Sequence, residues 1–146
     1  MATADTVDLG SIHPPKEESL KAFGELESEL KKNLLHLKHT YLKHEPEYFA
    51  AAQHLSDDDL TSFTASNLEL VRTATSAYGL HLFGKVRIPA LPESGPAYIH
   101  VRVFIGGGGE PPKLHAIHSE ETEEADGNKK YRAIFTKDDA LEWFDT

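Results

Sequence analysis

The chain has 146 residues, 39% of them hydrophobic, with 15 Lys and Arg against 24 Asp and Glu for a formal charge of −9. That length supports one sizeable core and is short for two independent domains. The acidic balance disfavours nucleic acid, because Lys31, Lys32, Lys38 and Lys43 are interleaved with acids instead of gathered on one face. The absence of cysteine excludes a disulfide framework, a thiol nucleophile and a thiolate metal site, and suits a reducing, cytoplasmic address. The first residues show no signal-peptide pattern, and no run approaches the ~20 apolar residues of a membrane helix, so no membrane association is expected.

Residues 1–15 end in Pro14-Pro15 and read as an extended, mobile arm whose anchor candidates are Val7, Leu9 and Ile12. From Lys16 onward Leu20, Phe23, Leu26, Leu30, Leu34, Leu37 and Tyr41 recur every three or four residues, which predicts one helix over 16–43 with a single apolar stripe. Glu17 and Glu18 at its start, and Lys38 and Lys43 near its end, suit the macrodipole. Glu45-Pro46 should interrupt it. A short helix is expected over 46–55, and Ser56 followed by three aspartates reads as an N-cap before Leu60 and Phe63.

The period then becomes two. Residues 68–78 are expected as a strand, with helix the alternative for the first half. In 80–88, Leu80, Leu82, Gly84, Val86 and Ile88 alternate with His81, Phe83, Lys85 and Arg87, and in 98–105, Ile99, Val101, Val103 and Ile105 alternate with Tyr98, His100, Arg102 and Phe104. Both apolar faces should pack on the long helix, leaving a polar outer face open to solvent. Gly79 should make a tight turn, and in a meander it lies at the same end of the sheet as the Gly106–Pro112 loop. A strand is expected over 113–119, a solvated acidic loop over 120–126, a reversal at Asp126-Gly127-Asn128, and a strand over 129–135. Thr136 to Asp139 should cap a last short helix carrying Leu141 and Phe144, or Trp143, to the core.

The chemical motifs are weak. His36, His39, His44 and His54 fall on or near helices, but the His36/His39 pair has no third ligand nearby and no HExxH occurs. Gly106, Gly107, Gly108 and Gly109 lack the Lys-Ser/Thr and following helix of a phosphate loop. The acids from Glu120 to Asp126 lack EF-hand spacing, and no Gly-x-Ser-x-Gly elbow appears. Neither a metal nor another cofactor is expected. A small-molecule site remains open at His81, Tyr98 and His100, where acid/base groups would face a pocket if residues 44–65 covered the outer sheet face.

The order of segments, Gly10 then SIHPPKEESLKAFGELESELKKN, LELVRTATSAYGLHLFGKVRI, AYIHVRVF, KLHAIHSEE and DDALEWF, resembles the cystatin family and its disulfide-free stefin branch. The resemblance implies an α+β fold in which an antiparallel sheet wraps a long N-terminal helix, here as one domain over 16–146 with helical additions at about 38–66 and an acidic insertion at about 120–135. It also implies inhibition of papain-like cysteine proteases by cleft occlusion, without a catalytic residue. The wedge positions it implies are Gly10, the Thr75-Ser76-Ala77-Tyr78-Gly79 turn, and the loop from Gly106 through Gly109 to Pro111 and Pro112. Of the family's Gln-x-Val-x-Gly turn only the closing Gly79 is kept, with Thr75 and Ala77 at the other two places. A non-inhibitory protein-binding module on this fold is the alternative, and the additions could also build a homo-oligomer interface.

Overall fold

The computed structural model describes residues 8–106 and 110–144. Its centre is helix α1 (Glu17–His44), laid against a five-stranded antiparallel sheet in the order β1 (Asp8–Leu9), β2 (Leu68–Ser76), β3 (Gly79–Arg87), β4 (Tyr98–Gly106), β5 (Lys113–Ile117). The architecture is α+β, with a long N-terminal helix embraced by an antiparallel sheet, as the cystatin resemblance implies. Among the described residues no helix is long and apolar enough to cross a membrane.

The helix forms for the reasons its sequence gives: an apolar stripe for the sheet, acids in the first turn, and Lys43 and His44 in the last. Phe23, Leu26, Leu30 and Leu34 are buried against Leu82, Val86, Ile99, Val101 and Val103. Leu20 departs from expectation and is 37% exposed, since the first turn buries the smaller Ser19 and Ala22 instead. Gly84 lets the helix approach the sheet. A Cβ there would overlap the tip of Phe23 and lie 2.8 Å from Leu68 Cδ1. Gly84→Ala is therefore expected to destabilise the chain by about 1–3 kcal/mol in urea unfolding. An unchanged midpoint would mean that both side chains can move aside.

The connection from α1 to β2 adds to the same core. Its first part is a 3-10 helix, Pro46–Ala52, tighter than the expected α-helix and broken at Phe49, where φ is −114° and ψ is 24°. Ser56 caps α2 (Asp57–Leu60) as expected, its Oγ accepting from the Asp59 N–H at 3.1 Å. Phe49, Leu60 and Phe63 are buried. Lys38 is drawn inward beneath this segment, its ammonium donating to the Leu55 carbonyl at 2.7 Å.

Three expectations are corrected. The acidic run is not a loop: β6 (Glu120–Glu123) pairs with β7 (Lys129–Arg132), and Glu121–Lys129 and Glu120–Arg132 ion pairs at 3.5 and 2.8 Å neutralise the facing strands. The last helix does not form. Thr136 to Asp139 is a turn closed by the Asp139 carboxylate, which accepts from the Thr136 N–H at 2.6 Å and its hydroxyl at 2.8 Å. The outer sheet face is not open. Residues 135–144 run across it, forming a second core of Ala74, Phe83, Leu141 and Phe144 with Trp143 against its edge. The cover therefore comes from the C-terminal segment and not from residues 44–65. Those residues meet the other insertion, Tyr48 lying 5.0 Å from Tyr131 and accepting from the Ala133 N–H at 2.8 Å.

Candidate functional site

The N-terminal arm is docked in part. Asp8 and Leu9 pair with Thr75 and Ala74, the Gly10 N–H donates to the Thr73 carbonyl at 2.8 Å, and His13 bridges to Val71. The anchor is this backbone ladder; Ile12 is exposed, and Val7 lies outside the described residues. Because β1 runs antiparallel to β2, its start lies beside Thr75, next to the last residue of β2. Gly10 is itself pinned by the Arg72 Nε–H, which donates to its carbonyl at 2.5 Å.

In that turn Ser76 pairs with Gly79, leaving Ala77 and Tyr78 at the tip. Gly79 has φ +147°, a conformation L side chains rarely adopt, and a Cβ would stand 2.6 Å from the Ile105 carbonyl oxygen. The Ser76 hydroxyl organises the turn, accepting from the Tyr78 N–H at 3.2 Å and donating to the Gly79 carbonyl at 3.3 Å. Tyr78 is 64% exposed, more than any other large hydrophobic side chain described.

Gly79 also pairs with Gly106, so the β4–β5 loop begins beside the turn, as the meander predicts. Gly107, Gly108 and Gly109 lie outside the described residues. The loop returns through Glu110, Pro111 and Pro112, which with Ile105 and the start of α1 line an open cleft of about 390 Å³. Thus β1, the Thr75–Gly79 turn and Gly106 follow one another across the sheet, with Gly10 opposite Thr73.

The residues of the alternative pocket lie on the outer face, beneath the C-terminal segment. His81, Tyr98 and His100 are all buried, but each is held differently. Tyr98 donates from its hydroxyl to Glu93 at 3.3 Å, and burial pushes its pKa up to about 12. His81 is enclosed by Phe104 and Trp143. His100 stacks on Phe135 at 4.3 Å with Nε2 buried and unpartnered, and burial with the nearby Lys85 ammonium lowers its pKa to about 3. It lines a cleft of about 360 Å³ with His118, Arg132 and Trp143, which His81 and Tyr98 do not line.

Three cations on the outer face, none of them singled out from sequence, hold the covering segment by its backbone. Lys85 donates to the carbonyls of Lys137 and Asp139 at 3.0 and 2.6 Å, Arg72 to Leu141 at 3.0 Å, and Arg102 to Phe144 at 3.0 Å. The available signal was their alternation onto one strand face, together with apolar residues near the C-terminus that needed a surface. Asp139 is half-buried, which opposes its ionisation, yet hydrogen bonds from Thr136 and Arg132 hold its carboxyl below the usual range. Comparison with family models, with curated proteins and with solved structures found no match for this chain.

Proposed function

We propose that this chain is a protein-binding inhibitor whose glycine-bearing edge enters a cleft in its target. The target class this reading names is the papain-like cysteine proteases, met in the cytoplasm. The observation that supports it is the succession of the three segments across the sheet, with Tyr78 projecting from the middle one. An exposed aromatic ring on a narrow two-residue tip supplies contact area, and the flanking glycines let backbone approach a cleft wall closely. Inhibition then consists of occlusion. No bond is made or broken, and the chain supplies no acid, base or nucleophile to the target.

The test is titration of the folded protein into papain while residual activity is followed. Stoichiometric loss of activity is expected. Tyr78→Ala should weaken inhibition by roughly 30-fold, the loss typical of an aromatic anchor, without altering the unfolding midpoint. Full papain activity in the presence of excess folded wild-type protein would overturn the reading.

A further inference from the structure

We propose that the C-terminal segment, residues 136–144, fixes the shape of the wedge through a buried hydrogen-bonded chain, Arg102–His81–Ser76, that ends at the Tyr78 turn. The role in inhibition rests on the function proposed above; the coupling itself rests on geometry. From the strap inward, Arg102 Nη1 donates to the Phe144 carbonyl at 3.0 Å, and Nη2 lies 3.1 Å from His81 Nδ1. The other ring nitrogen, Nε2, lies 3.3 Å from the Ser76 hydroxyl, which accepts from the Tyr78 N–H at 3.2 Å.

The chemistry of the groups allows one assignment of protons. A guanidinium only donates, so Nδ1 of His81 must accept. A neutral imidazole with an accepting Nδ1 carries its proton on Nε2, which therefore donates to Ser76 Oγ. The hydroxyl proton is left for the Gly79 carbonyl at 3.3 Å. Every member is thus oriented by its neighbour, and Arg102 sets the direction of the whole chain.

The surroundings keep water out. His81 and Arg102 are 4% and 2% exposed, and Trp143 of the strap closes over both, its ring 4.4 Å from the guanidinium and 5.5 Å from the imidazole. A second attachment reaches the other side of the wedge. Arg72 uses Nε for the Gly10 carbonyl and Nη1 for that of Leu141, so one side chain ties the glycine strand to the same strap. Arg72, Arg102, His81 and Ser76 are accordingly positioning residues, and seating or release of the strap is felt at two of the three wedge segments.

The experiment is amide hydrogen exchange and imidazole NMR on the full chain at neutral pH, for wild type, Ser76→Ala and Trp143→Ala. His81 is expected as the Nε2–H tautomer. Tyr78 amide exchange should accelerate roughly tenfold in both variants, the loss of one ordinary hydrogen bond, while Phe83 and Val101 in the sheet centre keep wild-type rates. A proton on Nδ1, or unchanged Tyr78 exchange in Trp143→Ala with the sheet intact, would overturn the coupling. Ser76→Ala lies at the surface end and tests the turn should Trp143→Ala unfold. Papain inhibition measured on the same samples separates the two claims. A turn that loosens in a chain that never inhibits retains the coupling and removes the protease reading, whereas an inhibitor whose turn ignores the strap retains that reading and removes the coupling.

Discussion

His100→Phe is expected to make the chain more resistant to acid than the wild type, with the two diverging as pH falls below about 6.5. The imidazole is 2% exposed, its Nε2 has no partner, and Phe135 lies parallel on it at 4.3 Å. Burial is the chief cause of its depressed pKa; Lys85, His118 and Arg132 add to the depression and Asp139 opposes it. The folded pKa, about 3, lies below the unfolded value, so between those limits the unfolded chain binds a proton that the folded chain refuses. Stability is therefore fully present above pH 6.5 and is lost as pH falls, by about 1.4 kcal/mol per unit for this one group. Phenylalanine keeps a flat ring against Phe135 and cannot take the proton. Denaturant unfolding at a series of pH values should show the difference between the two proteins growing at that slope down to about pH 4. Parallel curves would mean that His100 ionises in the folded protein as readily as in the unfolded one.

His100 also shows where sequence reasoning stops. The alternation in β3 and β4 was legible because period two is a local property, and it placed His81, Lys85, His100 and Arg102 on one face. Assigning that face to solvent followed from residue type alone. It failed because charged and polar side chains can be buried when carbonyl groups arrive from far along the chain, here from 42 to 69 residues away. The arriving segment carries a cap-like Thr136–Asp139 signal that reads as a helix start, and nothing local in it reveals that it crosses the sheet. The Ser56 cap and the Asp126–Asn128 reversal were readable, being settled within a few residues. Of the β6–β7 hairpin the reversal and the second strand were expected, and β6 was missed because its acids were read without the basic strand that faces them. At the β2–β3 turn, Gly79 and Tyr78 stood out in the sequence, whereas the hold of Arg72 on Gly10 spans 62 residues and is a product of the fold.

Lys85 gives the sharpest contrast between two substitutions at one position. Its ammonium is 2% exposed, donates to the carbonyls of Lys137 and Asp139, and lies 5.1 Å from the centre of the Tyr98 ring. Charge-assisted hydrogen bonds of this kind contribute about 1.5–3 kcal/mol each, which argues for a costly loss. Against that, burial lowers the lysine pKa and the acids Asp139, Asp138 and Glu69 do not fully restore it, so the site holds the charge less well than water does. Lys85→Met keeps most of the volume and removes the buried charge, and its two former carbonyl partners belong to Lys137, which is exposed, and Asp139, which is half-buried, so both can turn toward water. That variant is expected to unfold within about 1 kcal/mol of wild type. Lys85→Ala removes the same charge but leaves a cavity beneath the strap, and should lose about 3 kcal/mol. Equal losses in the two variants would show that the ammonium–carbonyl bonds, and not the packing of the stem, dominate. In Lys85→Met the strap keeps Arg72 at Leu141 and Arg102 at Phe144, so the Tyr78 amide should stay as protected as in the wild type although the anchor at Lys137 and Asp139 is gone.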